Sequence, residues 1–332
     1  MKKLKYLLFG IGMAGLAALF IFAFTEKKDD DLAYRSHFFR DYRIYAPHVP
    51  DQASFAGEAV PLDRFYVKES FDREIMASTF MHSSTILMFK RAYRWFPVIE
   101  PILKKNGIPD DFKYLCLAES NLGNVTSPSN AEGFWQFIKT TGIRYGLEIT
   151  EEVDERYNVE KATEAACRYF REGWSTYRNW TLTAASYNRG MDGLSKALLN
   201  QRVSDYYDLY LNEETARYIF RILAIKEVYN HPTRYGFFLR EQDLYRPIPT
   251  YVVTVDSAVT DLPALAAKLD VSYRVLREFN PWIKRYNLPN KTGKTYLLTL
   301  PRQGMIYLDS LPPVKTGSGT FYKDTLKIHQ LH

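Results

Sequence analysis

Cysteine is scarce in this chain: Cys116 and Cys167 are the two among 332 residues. They allow at most one disulfide and offer no metal-ligand spacing. Both lie in apolar helical contexts, where the expectation is two small buried hydrophobes. The six histidines are scattered, without an H-E-x-x-H pair or a Cys/His cluster, so no metal site is expected. A basic stripe is missing too. Of the net charge of +6, Lys2, Lys3, Lys5, Lys27 and Lys28 against Glu26 give residues 1–28 a charge of +4, which leaves +2 for the rest. That excludes a nucleic-acid partner, which needs Lys and Arg clustered on the folded domain. Residues 69–236 contain no stretch that reads as a strand, which points to an all-α or nearly all-α domain.

What is present is the material of a folded protein. Hydrophobic residues make up 46% and charged residues 25%, a balance that supports a packed core. The length suffices for more than one domain. Aromatics reach 15%, with 25 Tyr. Such side chains form apolar platforms with a polar tip for sugars, and they fill cores equally well.

Met1-Lys2-Lys3-Leu4-Lys5 precedes an uncharged, largely apolar run over residues 6–24. At about 1.5 Å per residue it reaches roughly 28 Å, near the thickness of a hydrocarbon core. Residues 1–25 therefore read as an N-terminal membrane anchor or signal, with its lysines on the cytoplasmic side. An uncleaved anchor is favoured, because the run is long for a signal peptide and Ile21-x-Ala23 is a poor cleavage site. Residues 26–68, interrupted by Pro47, Pro50 and Pro61, are expected to form an extended juxtamembrane segment along the next domain.

Residues 69–240 read as one helical domain. Apolar spacing predicts a helix over 69–106, with Pro97 and Pro101 starting or bending its last turns. Gly107 ends it and Asp110 caps the next. Further helices are expected around Glu119 and over 140–145, 159–174, 180–187 and 213–229, with Asn158 as a cap. After Gly236 the period changes. Strand patterns over 249–255 and 295–301 enclose two short helices over 262–269 and 273–279, a β-α-α-β module spanning 248–304. Residues 305–332 form a polar tail.

The chemistry concentrates between Asp110 and Gly190. Phe112, Leu115, Cys116 and Glu119 recur at helical spacing, so an apolar helix face ends in a carboxylate. Such an acid must find partners or hold its proton above the usual pKa. Glu119-Ser120, Gly133-x-Trp135-Gln136, Tyr187-Asn188-x-Gly190 and Glu214-Thr215-x-x-Tyr218 follow one another in order. Together they resemble the four motifs of the lytic transglycosylases with a goose-lysozyme-like fold, most of all the membrane-bound murein transglycosylase D type. The similarity covers roughly residues 97–236. The C-terminal module is similar to LysM, a peptidoglycan-binding module, through Leu265-Ala266-Ala267-Lys268, Val271-Ser272 and Asn280-Pro281. It departs from that pattern where Asp256-Ser257 replaces the usual Gly-Asp and where residues 286–294 look inserted, which implies a degenerate module and leaves open whether it binds glycan or only packs.

The resemblance implies a lysozyme-like fold and a cofactor-free reaction on peptidoglycan glycan strands. Glycosidases usually need two carboxylates, and the motifs supply Glu119 alone. Glu132, Asp154 and Glu155 lie in loop contexts where solvated surface acids are the expectation. One acid suffices if the C6 hydroxyl of N-acetylmuramic acid attacks its own C1, because an internal nucleophile acts at high effective concentration. Glu119 would then serve as general acid and afterwards as base. The likeness further implies that Gln136, Tyr187 and Asn188 line the site, that Tyr187 hydrogen-bonds the acid, and that Ser127 is a substrate-binding serine. Ser120 and Tyr218 support them. Trp135 is read as core ahead of sugar platform. Three departures bear on glycan length: a shortened loop with Gly123 where relatives carry Pro, Trp135 in place of Met, and Ser186 in place of Ala. A muramidase-type hydrolase using the same acid and a non-catalytic wall-binding scaffold are the rival readings.

Overall fold

The computed structural model describes Ser36, residues 44–291 and residues 293–313. The anchor expected in residues 1–25, and residues 314–332 of the tail, lie outside the described residues. Among the described residues no helix is long and apolar enough to cross a membrane.

A short hairpin opens the folded part. Strands β1 (Ser54–Phe55) and β2 (Glu58–Ala59) pair antiparallel around a turn with Ala56 and Gly57 both at positive φ, the backbone that a two-residue hairpin needs. Phe55 is fully buried against the helical core. Helix α1 (Phe65–Phe80) begins ahead of the expected residue 69, and a break at Met81 separates it from α2 (His82–Lys105). Pro97 and Pro101 lie inside α2, which runs on to Lys105. Each removes one backbone donor. Both prolines face solvent. Asn106 and Gly107 (φ +68°) then close the helix as the sequence reading expects.

Helix α3 (Phe112–Ser120) is the centre of the domain. Phe112, Tyr114, Leu115, Cys116 and Leu117 are all buried, each worth about 1–3 kcal/mol of apolar burial. Around it stand α4 (Lys139–Arg144), α5 (Val159–Tyr177), α6 (Trp180–Arg189), α7 (Met191–Gln201) and α8 (Glu213–Asn230). α3 packs between α2 and α8, α5 bridges α2 and α6, and α1 lies along α8. Asn158 caps α5 by accepting from the Lys161 amide at 3.0 Å. The expected cap at Asp110 does not form. Its carboxylate instead takes the Lys113 ammonium at 2.5 Å, a charge-assisted bond that outcompetes a neutral amide.

The second domain is a small α+β module, β3 (Thr250–Val255), α9 (Leu262–Lys268), α10 (Tyr273–Phe279) and β4 (Tyr296–Pro301). β3 and β4 pair antiparallel, from Thr250 opposite Pro301 to Val255 opposite Tyr296. Leu262, Ala266, Leu276, Trp282, Leu288, Leu298 and Leu300 form its core. Val153 of the helical domain is inserted among them. Backbone bonds from Asp154 to the Trp282 carbonyl (2.8 Å) and from Lys284 to the Glu152 carbonyl (2.7 Å) flank that residue. The Glu148 carboxylate accepts from the Lys294 ammonium (2.9 Å) and the Tyr296 hydroxyl (3.0 Å). The module is thus docked on the loop before α5.

Within the module the Asn280 amide is fully buried. It donates to the Leu276 and Thr299 carbonyls (2.9 and 2.7 Å) and accepts from the Thr299 amide (2.8 Å), joining α10 to β4. Asn280→Ala leaves the Thr299 amide and carbonyl without this partner, while the Leu276 carbonyl keeps its bond from the residue 280 amide. Equilibrium urea unfolding should register a loss of about 2 kcal/mol.

Candidate active site

Glu119 sits one residue before the end of α3, where Asn121 and Leu122 both turn to positive φ. Glu119 is half-buried. The Tyr218 hydroxyl, from the buried face of α8, donates a short hydrogen bond to Glu119 Oε1. Desolvation pushes the Glu119 acid up to about 7, against the opposing pull of the Tyr218 bond and the Arg221 charge; Glu214 adds to the rise. Burial holds the Tyr218 phenol far above its ordinary value, with the Glu119 charge adding to the effect, so it remains a donor. The result is a carboxylic acid poised to give and take a proton near neutrality.

The Gly133–Gln136 turn forms the neighbouring wall. Gly133 has φ +80°, and a Cβ there would lie 2.0 Å from the Arg156 carbonyl oxygen, so only glycine fits. Ser120 Oγ donates to the Phe134 carbonyl (2.7 Å), tying the turn to α3. Trp135 is fully buried and its indole donates to Thr163 Oγ1 (2.9 Å), which makes it core. The Gln136 amide donates to the Val125 and Gly133 carbonyls (2.9 and 2.7 Å) and so braces the turn it belongs to. Ser127 Oγ accepts from the Ala131 amide (3.0 Å) and lies 3.0 Å from Ser129 Oγ, holding the adjoining loop.

Tyr187 departs from expectation. Its hydroxyl donates to the Trp135 carbonyl (2.7 Å) instead of the acid, because α6 aims the phenol at the turn. Tyr218 takes the role assigned to it. Asn188 donates to Glu214 Oε1 (3.1 Å) and accepts from Thr215 Oγ1 (2.9 Å), which ties α6 to the first turn of α8. Glu214 and Thr215 stand in the fourth motif; Arg221 lies three residues past Tyr218, at helical spacing.

Arg156 is the residue that sequence reading missed. Its guanidinium donates to Asp154 (2.9 and 2.7 Å) and to the Asn130 and Phe137 carbonyls (both 3.1 Å), and lies 3.2 Å from Glu132. Asp154 and Glu155 are therefore buried, not solvated: Asp154 pairs with Arg156, and Glu155 with Lys161 and the Glu148 amide. No sequence signal marks Arg156, since its partners come from three separate stretches. Cys116 and Cys167 are free and buried. Among the described residues no group of three His, Cys, Asp or Glu could hold a metal. A shallow depression of about 660 Å³ at Tyr177, Ser195 and Leu198 contains none of the site residues above.

Two measurements follow from the acid's environment. Tyr218→Phe removes a bond that favours the anion, so a carboxyl NMR titration should place Glu119 above the wild-type value of about 7. The raised value also means that the folded chain holds a proton the unfolded chain releases. The stabilisation is full below about 4.5 and is lost as pH rises through about 7. Glu119→Gln cannot ionise. Denaturation at pH 8 should find it more stable than wild type by on the order of 2 kcal/mol, with the difference vanishing near the ordinary carboxylate range.

Residues 96–209 match the transglycosylase SLT domain, and residues 251–304 the soluble lytic transglycosylase C-terminal LysM-like domain. The chain is 27% identical over 238 residues to membrane-bound lytic murein transglycosylase D of Escherichia coli (strain K12), covering 70% of this chain and 51% of that protein. The same figures hold for the protein of that name in Escherichia coli O6:H1. The chain thus spans about half the length of these relatives. A half-buried acid on a central helix, bonded by a tyrosine from a facing one, accordingly sits in a chain that carries a transglycosylase SLT domain followed by a lytic-transglycosylase LysM-like domain.

Proposed function

We propose that this protein is a peptidoglycan lytic transglycosylase that cleaves the MurNAc-β-1,4-GlcNAc bond without water and leaves 1,6-anhydroMurNAc ends. The observation that carries the reading is the Glu119 acid, held protonated near neutrality by desolvation inside a matched SLT domain. Protonated Glu119 gives its proton to the glycosidic oxygen as the bond to C1 breaks and positive charge builds there. The C6 hydroxyl oxygen of the same sugar then bonds to C1, and the Glu119 carboxylate takes the hydroxyl proton. The acid is thereby restored, and one donor serves both halves. Tyr218 offsets the carboxylate's charge between the two steps. The basic start and apolar run of residues 1–25 support a membrane-anchored place in the cell envelope.

A hydrolytic reading draws on one specific feature. The exposed Glu214 carboxylate, held by Asn188, is close enough to raise the Glu119 pKa and could activate a water. Product masses separate the two. Digested sacculi should yield anhydro muropeptides; reducing-end products one water heavier would decide for hydrolysis. Glu119→Gln should lose about 10²- to 10⁴-fold in turnover. Wild-type kcat/KM should fall as pH rises through about 7, as the required proton is lost.

A further inference from the structure

Site residues come from three helices, α3 with Glu119, α6 with Tyr187 and Asn188, and α8 with Tyr218. All three are gripped by one short element outside the matched SLT domain, the β1–β2 hairpin of residues 54–59. Glu58 reaches the start of α6. Its Oε1 accepts from the Trp180 amide (2.6 Å), and its Oε2 from the Thr181 amide (2.8 Å) and hydroxyl (2.7 Å). With Asn179 accepting from Leu182 (2.7 Å), the first three donors of α6 are satisfied, two of them by the hairpin.

The grip on α3 is made at its N-cap. Asp111 Oδ2 accepts from the Ala56 amide at the hairpin tip (2.6 Å) and from the Lys226 ammonium of α8 (2.7 Å). Lys226 in turn donates to the Ser54 carbonyl (2.8 Å), closing a ring of hairpin, α3 and α8. Phe55 fills the space between, its ring centroid 5.2 Å from Phe112, the first residue of α3. Phe112 also meets Trp180 at 5.4 Å, where α6 begins. A rigid helix carries a displacement at one end to the other. The ends held here are opposite those that bear Glu119 and Asn188.

We propose that the hairpin sets the mutual placement of the three site-bearing helices, with Glu58, Asp111 and Lys226 as positioning residues for the reaction proposed above. The proposal rests on that reaction for its activity readout and on the geometry alone for the rest. Misplacing reacting groups by about 1 Å can cost on the order of 100-fold in rate. A hairpin that merely adds stability would leave the acid's environment alone, because none of its residues touches Glu119 among the hydrogen bonds described.

The test uses the full chain carrying Glu58→Ala or Lys226→Met, with the milder Glu58→Gln should either fail to fold. Ile99→Val, in the buried core of α2 and with no part in the hydrogen bonds of the hairpin, serves as a stability control. Two quantities are read well below the melting temperature: the Glu119 midpoint by carboxyl NMR titration, and turnover per folded molecule on purified sacculi. In the hairpin variants the midpoint should leave its wild-type position and turnover should fall about tenfold or more, carried by kcat. The Ile99→Val control should melt earlier with both quantities unchanged. A midpoint and turnover equal to wild type in the folded hairpin variants, or equal changes in the control, would overturn the proposal. If wild type itself leaves sacculi intact, the proposed reaction fails, while the titration still decides the role of the hairpin.

Discussion

A carboxylic acid partly withheld from water is the constraint around which this molecule is built. Ionised Glu119 is costly where it sits, and each group around it adjusts that cost. Tyr218 donates to the anion, the Arg221 charge favours it, and the Glu214 charge opposes it. An isolated helix would leave such an acid in water at its ordinary pKa. It takes the burial of nearly all of α3, on every side, to hold the carboxylate at the edge of an apolar core.

The wall beside the acid rests on a buried charge. Arg156 joins the loop after α3, the Gly133–Gln136 turn and the segment before α5, through two carbonyls and the Asp154 carboxylate. A planar guanidinium with five donors suits this work, since no other side chain can bond so many groups in fixed directions. The same segment carries Val153 into the core of the C-terminal module. Asp154 bonds Arg156 through its side chain and Trp282 through its backbone, so the site wall and the docked module share one residue.

Much of this was legible beforehand. The helix around Glu119, the β-α-α-β order of the module and the cap at Asn158 follow from apolar periodicity and local hydrogen bonding, which are written within a few residues of sequence. Trp135 reads as core and is fully buried. The misses at the site concern which groups packing brings together and buries. Asp154 and Glu155 read as surface acids because their loop is charged; their cations Arg156 and Lys161 stand close by in sequence, but only packing shows that the pairs are buried, Arg156 being held by the Asn130 and Phe137 carbonyls. Tyr187 and Tyr218 exchange roles because which phenol meets the acid depends on how α6 and α8 rotate against α3, and spacing along either helix does not fix that.

The sequence by itself determined where most of the helices and the two strands of the C-terminal module form, that a carboxylate ends an apolar helix face, and that the motifs resemble those of lytic transglycosylases. Those properties depend on neighbours along the chain. Only the tertiary structure decided that Tyr218 bonds the acid, that Arg156 braces the neighbouring wall, and that a hairpin beyond the matched domain is bonded to three helices. Each of these joins residues far apart in sequence through directional bonds, whose partners are set by how the elements pack.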